Sequence, residues 1–330
     1  MHNDSPPDPA AALSARGAVP RTAAQGHAHA KAILFGEHAV VYGAPALAVP
    51  LHGLGAQADL RLTPGRETRI ESQLFAGTVQ AAPQPMSPVV TGLRAALEAT
   101  GDADAEVQLR IRSSIPHSRG LGSSAAVATA VARAAADLRD VVFDDDTLHT
   151  IVTKAESVAH GRPSGIDARA VAAQLPIRFR DGRATAINVG RRLIFVVADS
   201  GHHGSTAEAV AGVHALRAAQ PTTVRAAISR LAELTEHAVD DVRSGDLAAL
   251  GSRMSDAHRV LASIAVSTPA LDALVEAALA SGAYGAKLTG GGLGGCILAL
   301  ADSDEQAEHL ALALRIAGAP RTWTTEISTT

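Results

Sequence analysis

The chain has 330 residues, 47% of them hydrophobic and 19% charged, with a net charge of -4. It is long enough for two cores and has ordinary globular chemistry. The absence of any basic run, with aromatics at only 2%, excludes a nucleic-acid surface or a stacking platform for single strands. The lone cysteine, Cys296, excludes an internal disulfide and a cysteine-ligated metal cluster.

No stretch approaches the roughly 18 apolar residues that a membrane span requires. The N-terminus lacks the charged start and apolar stretch of a signal peptide, and a soluble cytoplasmic protein is expected. Residues 1–27, rich in Ala, Pro and small polar residues, read as a disordered tail. Two domains should follow, over 28–188 and 189–330. Ala30, Ile33 and Leu34 lead into a first strand from about His27, and Val40 to Leu51 carries the Tyr-Gly and Ala-Pro pairs of turns and short strands.

Between Ala105 and Ser113, Val107, Leu109 and Ile111 alternate with Gln108, Arg110 and Arg112, which predicts a strand with one wet face. An Ala- and Val-rich helix is predicted over 123–138, a second from about Asp146 to His160, and a third from near Asp167. Leu193 to Ala198 is a continuous apolar strand and the expected entry to the second domain. Helical patterns run on to about Ala280. Strands at Tyr284–Leu288 and Cys296–Leu300, a helix near 304–317 and a strand near 321–327 complete an α+β unit.

Four segments carry chemistry. In Lys31-Ala-Ile-Leu-Phe-Gly-Glu-His38, a strand lysine followed by Glu37 and His38 can hold an anion, or else a solvated lysine and an interior histidine. Only three of the 29 basic residues are lysines, and two of them, Lys31 and Lys287, fall in these segments. In Pro116-His-Ser-Arg-Gly-Leu-Gly-Ser-Ser-Ala-Ala126, glycines between a strand and a helix let backbone approach an anion at the helix's unpaired N–H groups. The same loop also suits a plain capped helix, and its spacing is not that of the Walker loop.

From Glu156 through His160-Gly-Arg-Pro-Ser-Gly-Ile-Asp167, a helix ends and another begins. Asp167 is either an N-cap or a functional carboxylate, and Glu156, at the edge of an apolar stripe, needs a partner that magnesium can supply. Lys287-Leu-Thr-Gly-Gly-Gly-Leu-Gly-Gly-Cys296 contains Gly-x-Gly-x-x-Gly, but a strand follows it, so a glycine turn near a phosphate fits better than a dinucleotide fingerprint. A lesser segment, Asp199 to Thr206, reads as a polar helix-start loop; its adjacent His202 and His203 lack a carboxylate at ligand spacing.

Taken in order, these segments resemble the GHMP family of small-molecule kinases across nearly the whole chain after the tail. The His-Gly-x-Pro-Ser-Gly-x-Asp spacing is the most discriminating part. The resemblance implies an α+β, two-domain GHMP kinase fold, with an N-terminal unit like ribosomal protein S5 domain 2 and a ferredoxin-like C-terminal unit. It implies transfer of the γ-phosphoryl of ATP, with Mg2+, to the C5 hydroxyl of (R)-mevalonate. A homodimer is compatible with it.

Carried over by position, Asp167 is the catalytic aspartate and Lys31 its supporting lysine. Ser124 and Glu156 take the magnesium-associated positions. Glu37, His38, Gly290 and Gly291 fall on the substrate side. Pro116, Gly120, Leu121, Gly122, Ser123, Ser124, Ala125 and Thr206 line the nucleotide. Two residues depart from the family pattern: Leu293 where many members have a small or polar residue, and Val127 where animal members place an aromatic.

Overall fold

The structure, a computed structural model, describes residues 21–160 and 164–329. Strand β1 (Ala23–Phe35) pairs antiparallel with the long β2 (Ala46–Leu62), and a 3-10 turn at Ala39–Tyr42 joins them. The chain is therefore ordered in a strand from Ala23, earlier than the expected start at 28; residues 1–20 of the expected 1–27 tail lie outside the described residues. Of the turns and short strands expected over Val40–Leu51, the 3-10 turn occupies the first part and the strand part is the start of the long β2. Pro50 fits within it because β2 pairs with β6 only over 46–48 and with β5 only over 56–62. A missing N–H at Pro50 therefore interrupts neither of those ladders.

The first sheet has the order β4-β3-β5-β2-β6-β7, with β1 on the other edge of β2. Its members are β3 (Arg69–Glu71), β4 (Ala76–Thr78), β5 (Val107–Ser113), β6 (Ile177–Arg180) and β7 (Arg183–Ala186). Helices α1 (Ser87–Ala99), α2 (Ser123–Leu138) and α3 (Asp145–His160) pack together, and α2 lies on β1 and β2. Its alanines are what let it sit so close. A Cβ on Gly26 of β1 would come within 2.0 Å of the Ala130 carbonyl, so the helix backbone rests directly on the strand. The short α4 (Ile166–Ala170) packs with Ile33, Ala46, Ile177 and Phe179 in a separate small cluster.

The first sheet ends with β7, and β8 (Leu193–Asp199) opens the second. Its order is β11-β8-β10-β9, all antiparallel, with β9 (Gly285–Thr289), β10 (Cys296–Ala301) and β11 (Thr322–Ile327). Helices α5 (Thr206–Ala219), α6 (Pro221–Ser244), α7 (Leu247–Ser263) and α8 (Pro269–Ala280) lie between β8 and β9, and α9 (Asp304–Ile316) between β10 and β11. This is the split β-α-β-β-α-β arrangement of a ferredoxin-like unit, elaborated by extra helices. Every residue of β8 and β10 is buried, which is why Leu193–Ala198 and β10 read as unbroken apolar runs.

The units dock along the edge of β1 that β2 leaves free. The Thr289 hydroxyl donates to the Ile33 carbonyl at 2.9 Å and accepts the Ile33 N–H at 3.1 Å. Two residues earlier, the Lys31 N–H donates to the Leu121 carbonyl at 3.1 Å. An edge that would otherwise expose unpaired backbone is thus closed by the glycine-rich loops. No helix of the described residues is long and apolar enough to cross a membrane.

Candidate active site

A cavity of about 730 Å³ opens between the units. One wall is the loop that β5 delivers into α2: Pro116, Gly120, Leu121, Gly122, Ser123, Ser124 and Ala125 all line it. Gly122 caps α2 at φ 73°, a left-handed conformation, and a Cβ there would press on the Lys31 side chain at 2.9 Å. The first intrahelical bond runs from Ala126 N to Gly122 O, so the N–H groups of Ser123, Ser124 and Ala125 have no partner within the helix. The Ser123 hydroxyl is buried without a hydrogen-bond partner among the described residues. An anion at this helix start would satisfy all of them.

The opposite wall is the start of α5, where His203, Gly204, Ser205, Thr206 and Glu208 face the same space. Two helix N-termini therefore converge on it, each carrying partial positive charge. Glu156 of α3, 4% exposed, and Asp167 near the start of α4 complete the polar end. At the other end the lining turns apolar, through Leu74, Met86, Pro88, Val89, Ile111 and Val127.

Lys31 lies behind this wall. Its Nζ is 2.8 Å from Asp167 Oδ1 and donates to the Gly120 carbonyl at 3.2 Å. The ammonium side chain is 3% exposed and the carboxylate 34%, so one member of the pair is sealed and the other open to the cavity. A strand lysine, a helix-start aspartate and the glycine loop meet at one point.

The substrate-side expectations fare differently. Glu37 does not line the cavity: its carboxylate is hydrogen-bonded to Lys287 Nζ, and both side chains are sealed from solvent. Burial pushes the Glu37 carboxyl up and the Lys287 ammonium down, each opposed by its partner's charge. His38, also buried, donates from Nε2 to the Gly291 carbonyl at 2.8 Å, and burial holds its imidazole below the ordinary histidine range. It sits at φ 60° and ψ -42°, in a turn closed by Ala39 N to Glu37 O at 2.6 Å. That is a strained γ-turn, held in place by the contacts on either side of it.

Gly290 and Gly291 stand behind the cavity. A Cβ on Gly290 would meet Gly120 Cα at 2.9 Å, and one on Gly291 would meet Thr206 Oγ1 at 2.9 Å. The glycine turn is therefore a backing plate for both walls. Of the two departures from the family pattern, Leu293 takes φ 57° and its N–H bonds the Val266 carbonyl at 2.9 Å, while Val127 joins the apolar lining. Gly161, Arg162 and Pro163 of the most discriminating segment lie outside the described residues. Among the described residues, no group of three or more His, Cys, Asp or Glu side chains is placed to hold a metal ion.

Sequence reasoning missed Arg119, the apolar end of the cavity and the Lys287 partnership. The apolar end left one signal, the Ser-Pro start of the α1 pattern at Ser87 and Pro88. The other two left none, since each depends on a partner far along the chain.

A phosphate-sized cradle at a helix start, backed by a lysine–aspartate pair between two α+β units, defines a small-molecule phosphotransferase. Residues 88–174 match the description GHMP kinases N terminal domain and residues 238–319 match GHMP kinases C terminal. The chain belongs to the GHMP kinase family. Within it, the chain is 33% identical over 312 residues to the mevalonate kinase of Pyrococcus furiosus, covering 88% of this chain and 92% of that one. It is 33% identical to the mevalonate kinase of Thermococcus gammatolerans over the same shares. A crystal structure of L. major mevalonate kinase in complex with R-mevalonate superposes with a TM-score of 0.82 at 27% identity, covering 94% of this chain and 98% of that one.

Proposed function

We propose that the chain transfers the γ-phosphoryl group of ATP to the C5 hydroxyl of (R)-mevalonate, giving 5-phosphomevalonate and ADP. The Lys31–Asp167 pair at the cavity wall is the observation that carries this reading. Asp167 orients the acceptor hydroxyl and receives its proton as the new O–P bond forms and the bridging P–O bond breaks. Lys31 fixes the carboxylate and the Gly120 carbonyl beside it. Phosphoryl transfer passes through a loose transition state, so positioning and charge neutralisation do most of the work and a weak base suffices.

The triphosphate is assigned to the N–H groups of Gly122 to Ala125, the Ser123 hydroxyl and Thr206, and the nucleoside to the apolar end. Magnesium would be held by Glu156 and Ser124 and would offset phosphate charge. One carboxylate and one hydroxyl are a small ligand set, which fits an ion that arrives with phosphate oxygens of its own. His38 is assigned to the acceptor side, and Glu37, with Lys287, supports it from behind. The division at 188/189 falls in the link between β7 and β8. The reading places the enzyme in the cytoplasm, consistent with the single buried cysteine.

The experiment is an ADP-release assay with mevalonate, phosphomevalonate, galactose and homoserine as acceptors. Turnover with mevalonate at least about 100-fold above the others in kcat/KM is expected, on the scale by which a polar site rejects mismatched acceptors. Preference for any other acceptor overturns the assignment while leaving the family intact.

A further inference from the structure

Arg119 stands in the phosphate loop, yet its guanidinium is committed to the other unit. Its Nε is 2.7 Å from Oδ1 of Asp199, at the end of β8. One terminal nitrogen donates to His203 Nδ1 at 2.9 Å and the other to the Gly201 carbonyl at 3.4 Å. The side chains of Arg119 and Asp199 are 9% and 1% exposed, so this pair is desolvated. Oδ1 of Asp199 also accepts the Gly201 N–H at 2.9 Å, and its Oδ2 takes Arg321 at 2.9 Å. The backbone repeats the link, with Gly204 N donating to Ser118 O at 3.1 Å.

Arg119 and His203 both line the cavity, on opposite walls. The loop behind Arg119 presents the α2 start, and the 199–206 loop presents the α5 start with Thr206. We infer that the Arg119–Asp199 pair is the tie that sets the spacing of these two walls, and thereby the enzyme's affinity for the triphosphate. This rests on the nucleotide assignment above. The acceptor side has its own supports, Lys31 with Asp167 and His38 with Gly291, which do not pass through Arg119. Losing the tie leaves the cradle correctly set in only a fraction of molecules, and apparent affinity falls by that fraction. Arg119 is a positioning residue: its guanidinium is held by the Asp199 charge and by hydrogen bonds to His203 and Gly201.

The test compares Arg119→Ala, Asp199→Asn, the double variant and Arg321→Ala with the full wild-type chain, by titration calorimetry with ADP and steady-state kinetics with mevalonate. Each of the first two variants is expected to raise KM for ATP and Kd for ADP about tenfold, with KM for mevalonate and kcat within about twofold, the pattern of lost preorganisation. The double variant should be no worse than either single, because the two residues act as one unit. Arg321→Ala, on the exposed side of Asp199, should leave nucleotide affinity unchanged. Arg119→Ala keeps Asp199 paired with Arg321, so it tests the tie by itself even where Asp199→Asn does not fold. Multiplying effects in the double variant, or equal losses in both KM values, would overturn the inference. A wild-type chain that binds no ADP would instead sink the nucleotide assignment.

Discussion

Two of the three lysines form ion pairs at the junction of the units, and the pairs differ in one respect. Lys31 faces a carboxylate that is a third exposed; Lys287 faces one that is sealed with it. The chemistry of the partners is the same, yet only Asp167 can touch a ligand. Its carboxylate retains coordination capacity toward the cavity, whereas Glu37 is closed in by Lys287 and the strained turn at His38. Solvent access separates a pair that can do chemistry from a pair that holds the frame.

The sharpest way to break the comparison is Asp167→Asn. Loss of a positioned base costs about 10²–10⁴-fold in rate, and the upper end is expected here because the same carboxylate also orients the acceptor. Single-turnover kinetics should show the loss in the chemical step, with nucleotide affinity little changed. An unchanged kcat would remove Asp167 from the reaction.

The second prediction exchanges rate for stability. Lys287→Met leaves the Glu37 carboxylate buried without its cation, and breaking a buried pair in this way costs about 3–5 kcal/mol. Combining Lys287→Met with Glu37→Gln should recover much of that loss in denaturant unfolding, since no charge then remains uncompensated. If the double variant is as unstable as the single, the pair is not what holds the units together.

How far these pairs were legible in the sequence follows from their span. The β5–loop–α2 passage could be read directly, because alternation, glycines and an alanine run are local signals and the structure reproduces them within two residues. So could the second sheet, whose buried central strands have no polar face to blur them. Strands β3, β4, β6 and β7, at three or four residues each, are too short to show a period. The Lys31–Asp167 meeting joins residues far apart, and only the family resemblance brought them together in advance. Glu37 shows the limit of such reading. A charge beside a histidine in a glycine turn looks open to a ligand, and nothing local discloses a partner 250 residues away.

Third comes Lys31→Met. Its ammonium contacts Asp167 and Gly120 rather than open cavity, so its loss should act through them, lowering kcat by about 10²–10³-fold, near 3–4 kcal/mol of transition-state stabilisation. A rise confined to KM for mevalonate would make Lys31 a binding group. Thermal unfolding of the two lysine variants sharpens the contrast. Lys287→Met should melt well below wild type, and Lys31→Met close to it, since Asp167 can turn to water.

The smallest effect concerns His38, whose turn joins the sealed pair to the glycine plate. Burial holds its imidazole below the ordinary 6.5, so the native ring stays neutral where the unfolded one begins to take a proton. Stability from this group is therefore complete above about pH 6.5 and declines as pH falls below it, by at most about 1.4 kcal/mol per pH unit. His29 and His258, also shifted down by burial, add slopes of the same sign. Glu37 works against them, because burial raises its carboxyl and its native form gains protons first on acidification. The informative quantity is thus a difference. Between pH 7 and 5, urea unfolding of His38→Asn should lose stability less steeply than wild type, by roughly one histidine's share. Parallel profiles would mean that the ring is protonated equally in both states.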